Sequence, residues 1–353
     1  MKKVTLIIIS LLFSWTAVAQ YPESFNQKEL IIKDNSTKIG GTLTWPKNSS
    51  PNAIVIMISG SGAQDRDETM NPISNFKPFA LLADSLTSGG LATFRYDDRG
   101  IGASTGSFSD ATLDTLASDV ETIIKYFHKK DTPSFSEIIL LGHSQGGLVG
   151  EKVAVKNRSV NKLILMASAG IPLQKILRHQ VQRAFSRAFI DSVLAAKEIN
   201  AREQLMDATK NDTNIDEAQK RYRTQFAAIQ RSVGIDSSRA SQIAQKQARQ
   251  LTKVYRSPQL QSLLYYDPVI DLKKLDIPVL ILFGGKDTQV TVEMNKPPMK
   301  EAMESTGVPY QIEVFPNANH PFQKAKTGDL QEYGQLKHHF VDGFTSTIIE
   351  WIK

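Results

Sequence analysis

The 353-residue chain contains no cysteine. Disulfides and a lipid-anchored cysteine are therefore excluded, and stability must come from the core alone. Past the first 19 residues no segment is apolar and long enough to span a membrane, which takes roughly 20 residues. Gln174 to Arg256 holds no proline and a single glycine, Gly234. Its aromatics are not interleaved with the basic residues as a stacking platform would need, so nucleic-acid binding is not expected. No spacing of metal ligands appears, and no cofactor is expected.

At the start, Lys2-Lys3 precede an apolar run from Val4 to Val18 that ends in Ala17-Val18-Ala19. A basic end, a short apolar stretch and an A-x-A site read as a secretory signal peptide (1–19) cleaved after Ala19. A periplasmic or extracellular location is expected. The remaining length is large for one core, which predicts one α/β domain with a substantial insertion.

Ile138 to Leu141 is an apolar run that leads into Gly142-His143-Ser144-Gln145-Gly146, with a helical pattern after it. This is the pattern of a nucleophile elbow, in which a strand ends in a sharp turn that exposes a serine hydroxyl. Glycines flank the turn because side chains there would collide with the neighbouring backbone.

Elsewhere, strands alternate with helices. Leu30, Ile32, Ile39, Leu43 and Trp45 mark a hairpin after a tether at 20–28. Ala53–Ile58, Leu91–Tyr96, Leu163–Met166, Val279–Phe283 and Gln311–Phe315 read as further strands. Helices are expected at 79–86, 113–127, 299–306 and 340–352. The order predicts an α/β fold with a mostly parallel, doubly wound sheet. Ligands of such sheets sit outside the carboxyl ends of the strands. Residues 171–256 break the pattern and read as an inserted helical cap. Leu177, Val181, Phe185, Phe189 and Val193 recur as one helix face. This stretch carries 16 Lys and Arg against 8 Asp and Glu, a net +8 in a chain of net +6. The core is expected in two parts, 20–170 and 257–353.

A serine hydroxyl needs a base, usually a histidine that a carboxylate orients. In the order serine, acid, histidine, Asp287 lies just past one predicted strand and His320 just past the next. His338 and His339 precede a helix, and His128 and His179 fall on helical segments. His143 is expected to point away from the rim. Asp97 and Asp98 are expected to pair with Arg95 or Arg99 and hold a nearby loop. The run Asp65-Arg66-Asp67-Glu68 is expected to brace its loop by mutual ion pairing, without catalytic work.

These residues resemble the α/β-hydrolase fold of serine esterases. The likeness rests on Gly142-His143-Ser144-Gln145-Gly146, Arg95-Tyr96-Asp97-Asp98-Arg99-Gly100-Ile101-Gly102, Gly284-Gly285-Lys286-Asp287 and Asn319-His320. Gly60-Ser61-Gly62-Ala63-Gln64-Asp65-Arg66-Asp67-Glu68 and Lys326 to Tyr333 narrow it. They are similar to a bacterial carboxylesterase group near the serine aminopeptidase-like and dienelactone hydrolase-like families. The resemblance implies Ser144, Asp287 and His320 as the catalytic triad, backbone N–H groups of Ser61 and Gln145 as oxyanion donors, and short acyl esters as substrates. It departs at Ser59, where a histidine is common. A serine aminopeptidase and a non-catalytic ligand carrier are the competing readings. The partner implied is a small-molecule or carbohydrate ester. The basic cap either steers acidic substrates such as uronate esters or consists of solvated helix faces, the blander and favoured reading.

Overall fold

A computed structural model describes residues 25–34, 37–70, 73–128 and 135–353. The expected signal peptide and its cleavage site lie outside the described residues.

Eight strands form one sheet: β1 (Phe25–Lys33), β2 (Lys38–Pro46), β3 (Ala53–Ile58), β4 (Ala92–Tyr96), β5 (Glu137–His143), β6 (Val160–Met166), β7 (Val279–Gly284) and β8 (Tyr310–Phe315). Their order is β1-β2-β4-β3-β5-β6-β7-β8. β2 runs antiparallel to both neighbours, and every other pairing beyond it is parallel. β1 begins within the expected tether, at Phe25. After Phe25 its opening residues, Asn26 to Lys28, are polar and carry no apolar alternation, so backbone pairing with Leu43–Trp45 holds them rather than side-chain burial.

The central strands are apolar throughout because both faces are covered. Ile54 and Ile56 pack with α2 (Leu113–Phe127) and α3 (Gln145–Lys156) on one face. Val55 and Met57 pack with α1 (Pro78–Ser88) and α11 (Phe344–Ile352) on the other. Full burial of such a side chain contributes about 1.5–3 kcal/mol. α11 starts at Phe344, four residues later than expected. Gly343 breaks the chain direction at φ 82°, and Phe340 bridges instead to Gln323.

Between β6 and β7 lie α4 (Leu173–Arg187), α5 (Ser192–Lys210), α6 (Ile215–Ser232), α7 (Ser237–Tyr255), α8 (Pro258–Leu264) and α9 (Pro268–Leu272). Leu205, Tyr222, Ala248 and Tyr255 form a separate small core among α5, α6 and α7. The pair of half-buried Arg202 and buried Glu198 (2.5 Å) lies beside Tyr222. The expected stripe from Leu177 to Val193 is not one helix. α4 stops at Arg187, Phe189 turns at φ 53°, and its ring is 95% exposed.

α10 (Val292–Thr306) also begins earlier than expected and contains Pro297 and Pro298. Asn295 ties its first turn, since its Nδ2 donates to the Thr291 carbonyl and its Oδ1 accepts from Gly170 N–H.

The chain leaves β3 toward β4 on one side and later returns to β5 on the other. The carboxyl ends of β3 and β5 therefore border the crevice where such sheets bind ligands.

Candidate active site

Ser144 follows β5 directly and stands at φ 52°, ψ −118°, before the first residue of α3. A non-glycine residue held there costs about 1–3 kcal/mol. The surroundings enforce it. Ser144 N–H donates to the Met166 carbonyl at 2.8 Å. A Cβ at Gly142 would collide with the Gly146 carbonyl, and one at Gly146 with the Ile58 carbonyl. The turn forms only because both positions lack side chains.

Gly60-Ser61-Gly62 leaves the end of β3 beside this turn, and a Cβ on Gly60 would lie 3.4 Å from Ser144 Cβ. Ser61 and Ser144 line the same cavities. Gln145 opens α3, where the first backbone N–H groups lack intrahelical acceptors.

The loop from Gln64 to Glu68 is braced, but not by mutual pairs. Arg66 pairs with Asp97 (2.7 Å) and with Glu29, and Asp67 pairs with the buried Arg95. Asp65 accepts from the N–H groups of Asp67 and Thr69 and from the Thr69 hydroxyl. Burial opposes ionisation of Asp97, yet the Arg66 guanidinium and backbone donors hold its carboxyl below the usual range. The expected pairing of Asp97 and Asp98 with Arg95 or Arg99 is not formed. Arg99 pairs with Asp119, and Asp98 accepts from the Ser59 hydroxyl and from Gln64 N–H. Loop geometry decides this, because each arginine meets the carboxylate of a distant segment. Burial pushes Asp98 up to about 7.

Asp287 and His320 come from the loops after β7 and β8. Lys286 N–H donates to the Ala318 carbonyl at 2.8 Å, which joins the two loops. Asp287 Oδ1 accepts from the N–H groups of Gln289 (2.7 Å) and Val290 (2.9 Å), and Oδ2 lies 2.7 Å from His320 Nδ1. A carboxylate accepts only, so Nδ1 carries the proton and Nε2 is left free as a base. Both residues are buried, and His320 lines a cavity together with Ser144. The structure thus brings together all five residues singled out: Ser144, Asp287, His320, Ser61 and Gln145. Glu332, in the segment after His320, accepts from the N–H groups of Lys326, Thr327 and Gly328. Lys286 Nζ reaches the carbonyls of Ala325 and Lys326, so this loop is fastened beside Asp287.

His143 departs from expectation. Its side chain faces the site: Nδ1 lies 2.7 Å from Glu68 Oε1, Nε2 lies 3.3 Å from the His320 carbonyl oxygen, and the two rings are 4.7 Å apart. Burial favours the neutral ring, but Glu68 outweighs it and holds His143 above its ordinary value.

Two cavities meet at Ser61 and Ser144. The larger, about 1070 Å³, lies beneath the cap, with Leu148, Ile176, Leu177, Leu251 and Val254 in its wall and Gln145 at its floor. Lys253 is the one cation among its described lining residues. The smaller, about 530 Å³, is lined by Asp65, Glu68, Thr69, His143, His320 and Tyr333 among others.

The model of the serine aminopeptidase S33 family, Hydrolase_4, matches residues 73–324. The chain belongs to this family. Within the family match lie Ser144, Asp287 and His320, while Ser61 precedes it. This S33 member is 23% identical over 299 residues to Esterase EstD of Thermotoga maritima, covering 85% of this chain and 60% of EstD. It therefore spans somewhat under two thirds of that relative's length. The Pyrococcus furiosus esterase Pf2001 superposes with a TM-score of 0.56 at 14% identity, over 93% of this chain and 90% of that one. A proline iminopeptidase of Mycobacterium smegmatis superposes with a TM-score of 0.54 at 15% identity, over 92% and 97%. These likenesses establish the α/β-hydrolase fold for the S33 member described here.

Proposed function

We propose that this protein is a carboxylic-ester hydrolase that works through an acyl-enzyme on Ser144. The carrying observation is the Asp287–His320 pair, which fronts the same cavity as the strained Ser144. Ser144 Oγ attacks the ester carbonyl carbon while His320 Nε2 takes its proton. Negative charge that develops on the carbonyl oxygen is met by the N–H groups of Ser61 and Gln145. His320, now an imidazolium steadied by Asp287, gives its proton to the departing alkoxide. Water then attacks the acyl-enzyme, His320 takes the water's proton, and Ser144 is regenerated as the acid leaves. The names of EstD and Pf2001 agree with this reading.

The leaving oxygen must lie against His320, which lines the smaller cavity and not the larger. The alcohol half therefore occupies the smaller, more polar cavity, and the acyl half runs into the apolar one under the cap. That cavity holds far more than the short acyl chains the family resemblance implies, so longer chains are proposed as well. With Lys253 its one lining cation among the described residues, an apolar acyl group suits it better than an acidic one. Export by the N-terminal leader belongs to the proposal and is supported by the sequence pattern alone.

The family description favours a second reading, aminopeptidase activity. An aminopeptidase needs a carboxylate for the substrate ammonium. The acidic groups at the smaller cavity are already engaged, Asp65 by backbone donors and Glu68 by Gly60 N–H and His143. The test is hydrolysis of p-nitrophenyl esters against aminoacyl p-nitroanilides, with Ser144→Ala as control. Ester turnover lost in Ser144→Ala supports the proposal. Turnover retained at the wild-type rate in that variant sinks it, and faster anilide cleavage favours the peptidase. Failure of a fluorophosphonate to label Ser144 would favour a non-catalytic ligand carrier.

A further inference from the structure

We infer that Glu68 and His143 act as one unit that positions both the oxyanion loop and the base. The inference rests on the esterase reading above and concerns residues outside the triad.

Glu68 is 4% exposed and stands at φ 54°, an unfavourable backbone for a residue with a side chain. Its N–H is held by the Asp65 carbonyl at 2.9 Å. That turn delivers the carboxylate under the active site. Oε1 receives Gly60 N–H at 2.7 Å and faces His143 Nδ1 at 2.7 Å, while Oε2 is buried with no hydrogen-bond partner among the described residues. A buried carboxylate with a bare oxygen and a strained backbone is costly, and stability alone gives no reason to keep it.

The contacts supply a reason. Gly60 immediately precedes Ser61, so the bond to Gly60 N–H fixes the turn that presents the Ser61 N–H. His143 reaches the other half of the site, with Nε2 3.3 Å from the carbonyl oxygen of His320. Both neighbours of the His143 ring are acceptors, a carboxylate and a carbonyl. A ring that donates from both nitrogens is an imidazolium, and its charge is matched by Glu68. The pair thus carries no net charge, yet it clamps Gly60 at one end and His320 at the other. The other ionisable groups near His143 are Asp287, from the loop after β7, and His320 itself, from the loop after β8. Asp98 lies beyond Glu68.

Neither residue touches the reacting atoms, so both are positioning residues. Misplacing a donor or base by about 1 Å lowers kcat up to about 100-fold. The test compares Glu68→Gln, His143→Gln and the double variant on a p-nitrophenyl ester. Each single variant is expected to lower kcat with KM changed less than threefold. The double variant is expected to lose no more than the worse single one, as members of one unit do. In His143→Gln the acid limb of the kcat/KM profile should move to higher pH, because a cation beside His320 is gone while Glu68 remains. Complete labelling of Ser144 by fluorophosphonate at long times shows that a variant is folded, and its initial labelling rate should fall. If Glu68→Gln does not fold, His143→Gln, at the end of β5, still supplies the kcat and pH tests. Folded variants with wild-type kcat overturn the inference, as do losses that multiply in the double variant or an unmoved acid limb in His143→Gln. A wild-type protein that hydrolyses no ester overturns the esterase reading itself and the inference with it.

Discussion

The Ser59 hydroxyl donates to the carboxylate of Asp98, 3.2 Å from each oxygen. This bond ties the first residue after β3 to the loop after β4. Burial raises Asp98 from 3.8 to about 7. The folded protein therefore binds this proton more tightly than the unfolded chain. The associated stability is fully present below about pH 4 and is lost as pH rises through about 7. Glu151 on α3 is fully buried, with both carboxylate oxygens lacking partners among the described residues, and burial drives it in the same direction.

Asp98→Asn should flatten that pH dependence. Urea midpoints between pH 5 and 8 are expected to fall with pH in the wild type and to fall less in the variant. Parallel curves would show that Asp98 is not the group responsible.

Gly146→Ala should be far more damaging than an ordinary glycine-to-alanine change. Its Cβ would collide with the Ile58 and Ser59 carbonyls at the end of β3, and these strand-end atoms cannot move independently. A loss of at least about 3 kcal/mol is expected, beyond the usual range for single changes, together with loss of fluorophosphonate labelling. Chemical denaturation measures the first, and a normal midpoint would show that the elbow tolerates a methyl group.

Val254→Trp fills part of the wall of the larger cavity. Each methylene excluded from apolar surroundings costs about 0.8 kcal/mol, or roughly fourfold in kcat/KM. The ratio of octanoate to acetate hydrolysis should therefore drop at least tenfold, with acetate little changed. An equal loss on both esters would place the acyl chain elsewhere.

Asp287→Asn keeps the shape of the acid but favours the wrong tautomer of His320. A fall in kcat of about 10⁴ is expected from triads of this type, with the melting temperature nearly kept. A drop below tenfold would remove Asp287 from the proposed mechanism.

Much of this site is legible in the sequence because its signals are local. Ala53–Ile58 is apolar at every position since both faces of β3 are covered. The flanking glycines of Ser144 report a steric need that no other residue meets. Asp287 and His320 stand out because strand ends fall next to them. His143 escaped because the direction of its ring depends on a partner 75 positions away, Glu68. The ion pairs of Arg66, Arg95 and Arg99 escaped for the same reason. Each arginine has a carboxylate nearby in sequence and takes one from another segment. In the cap, a repeat of four residues looked continuous across Arg187 to Asp191, where neither glycine nor proline marks the break.

The helices between β6 and β7 also order events during synthesis. The residues of the Ser144 turn and the neighbouring strands β3 and β6 precede the cap in the chain, whereas Asp287 and His320 follow it. Until those two are made the serine has no base and is chemically quiet. On the proposed mechanism, a chain made only as far as the cap holds Ser144 without the acid and base that follow it. A chain cut short within the cap is therefore expected to be inert rather than an unselective hydrolase.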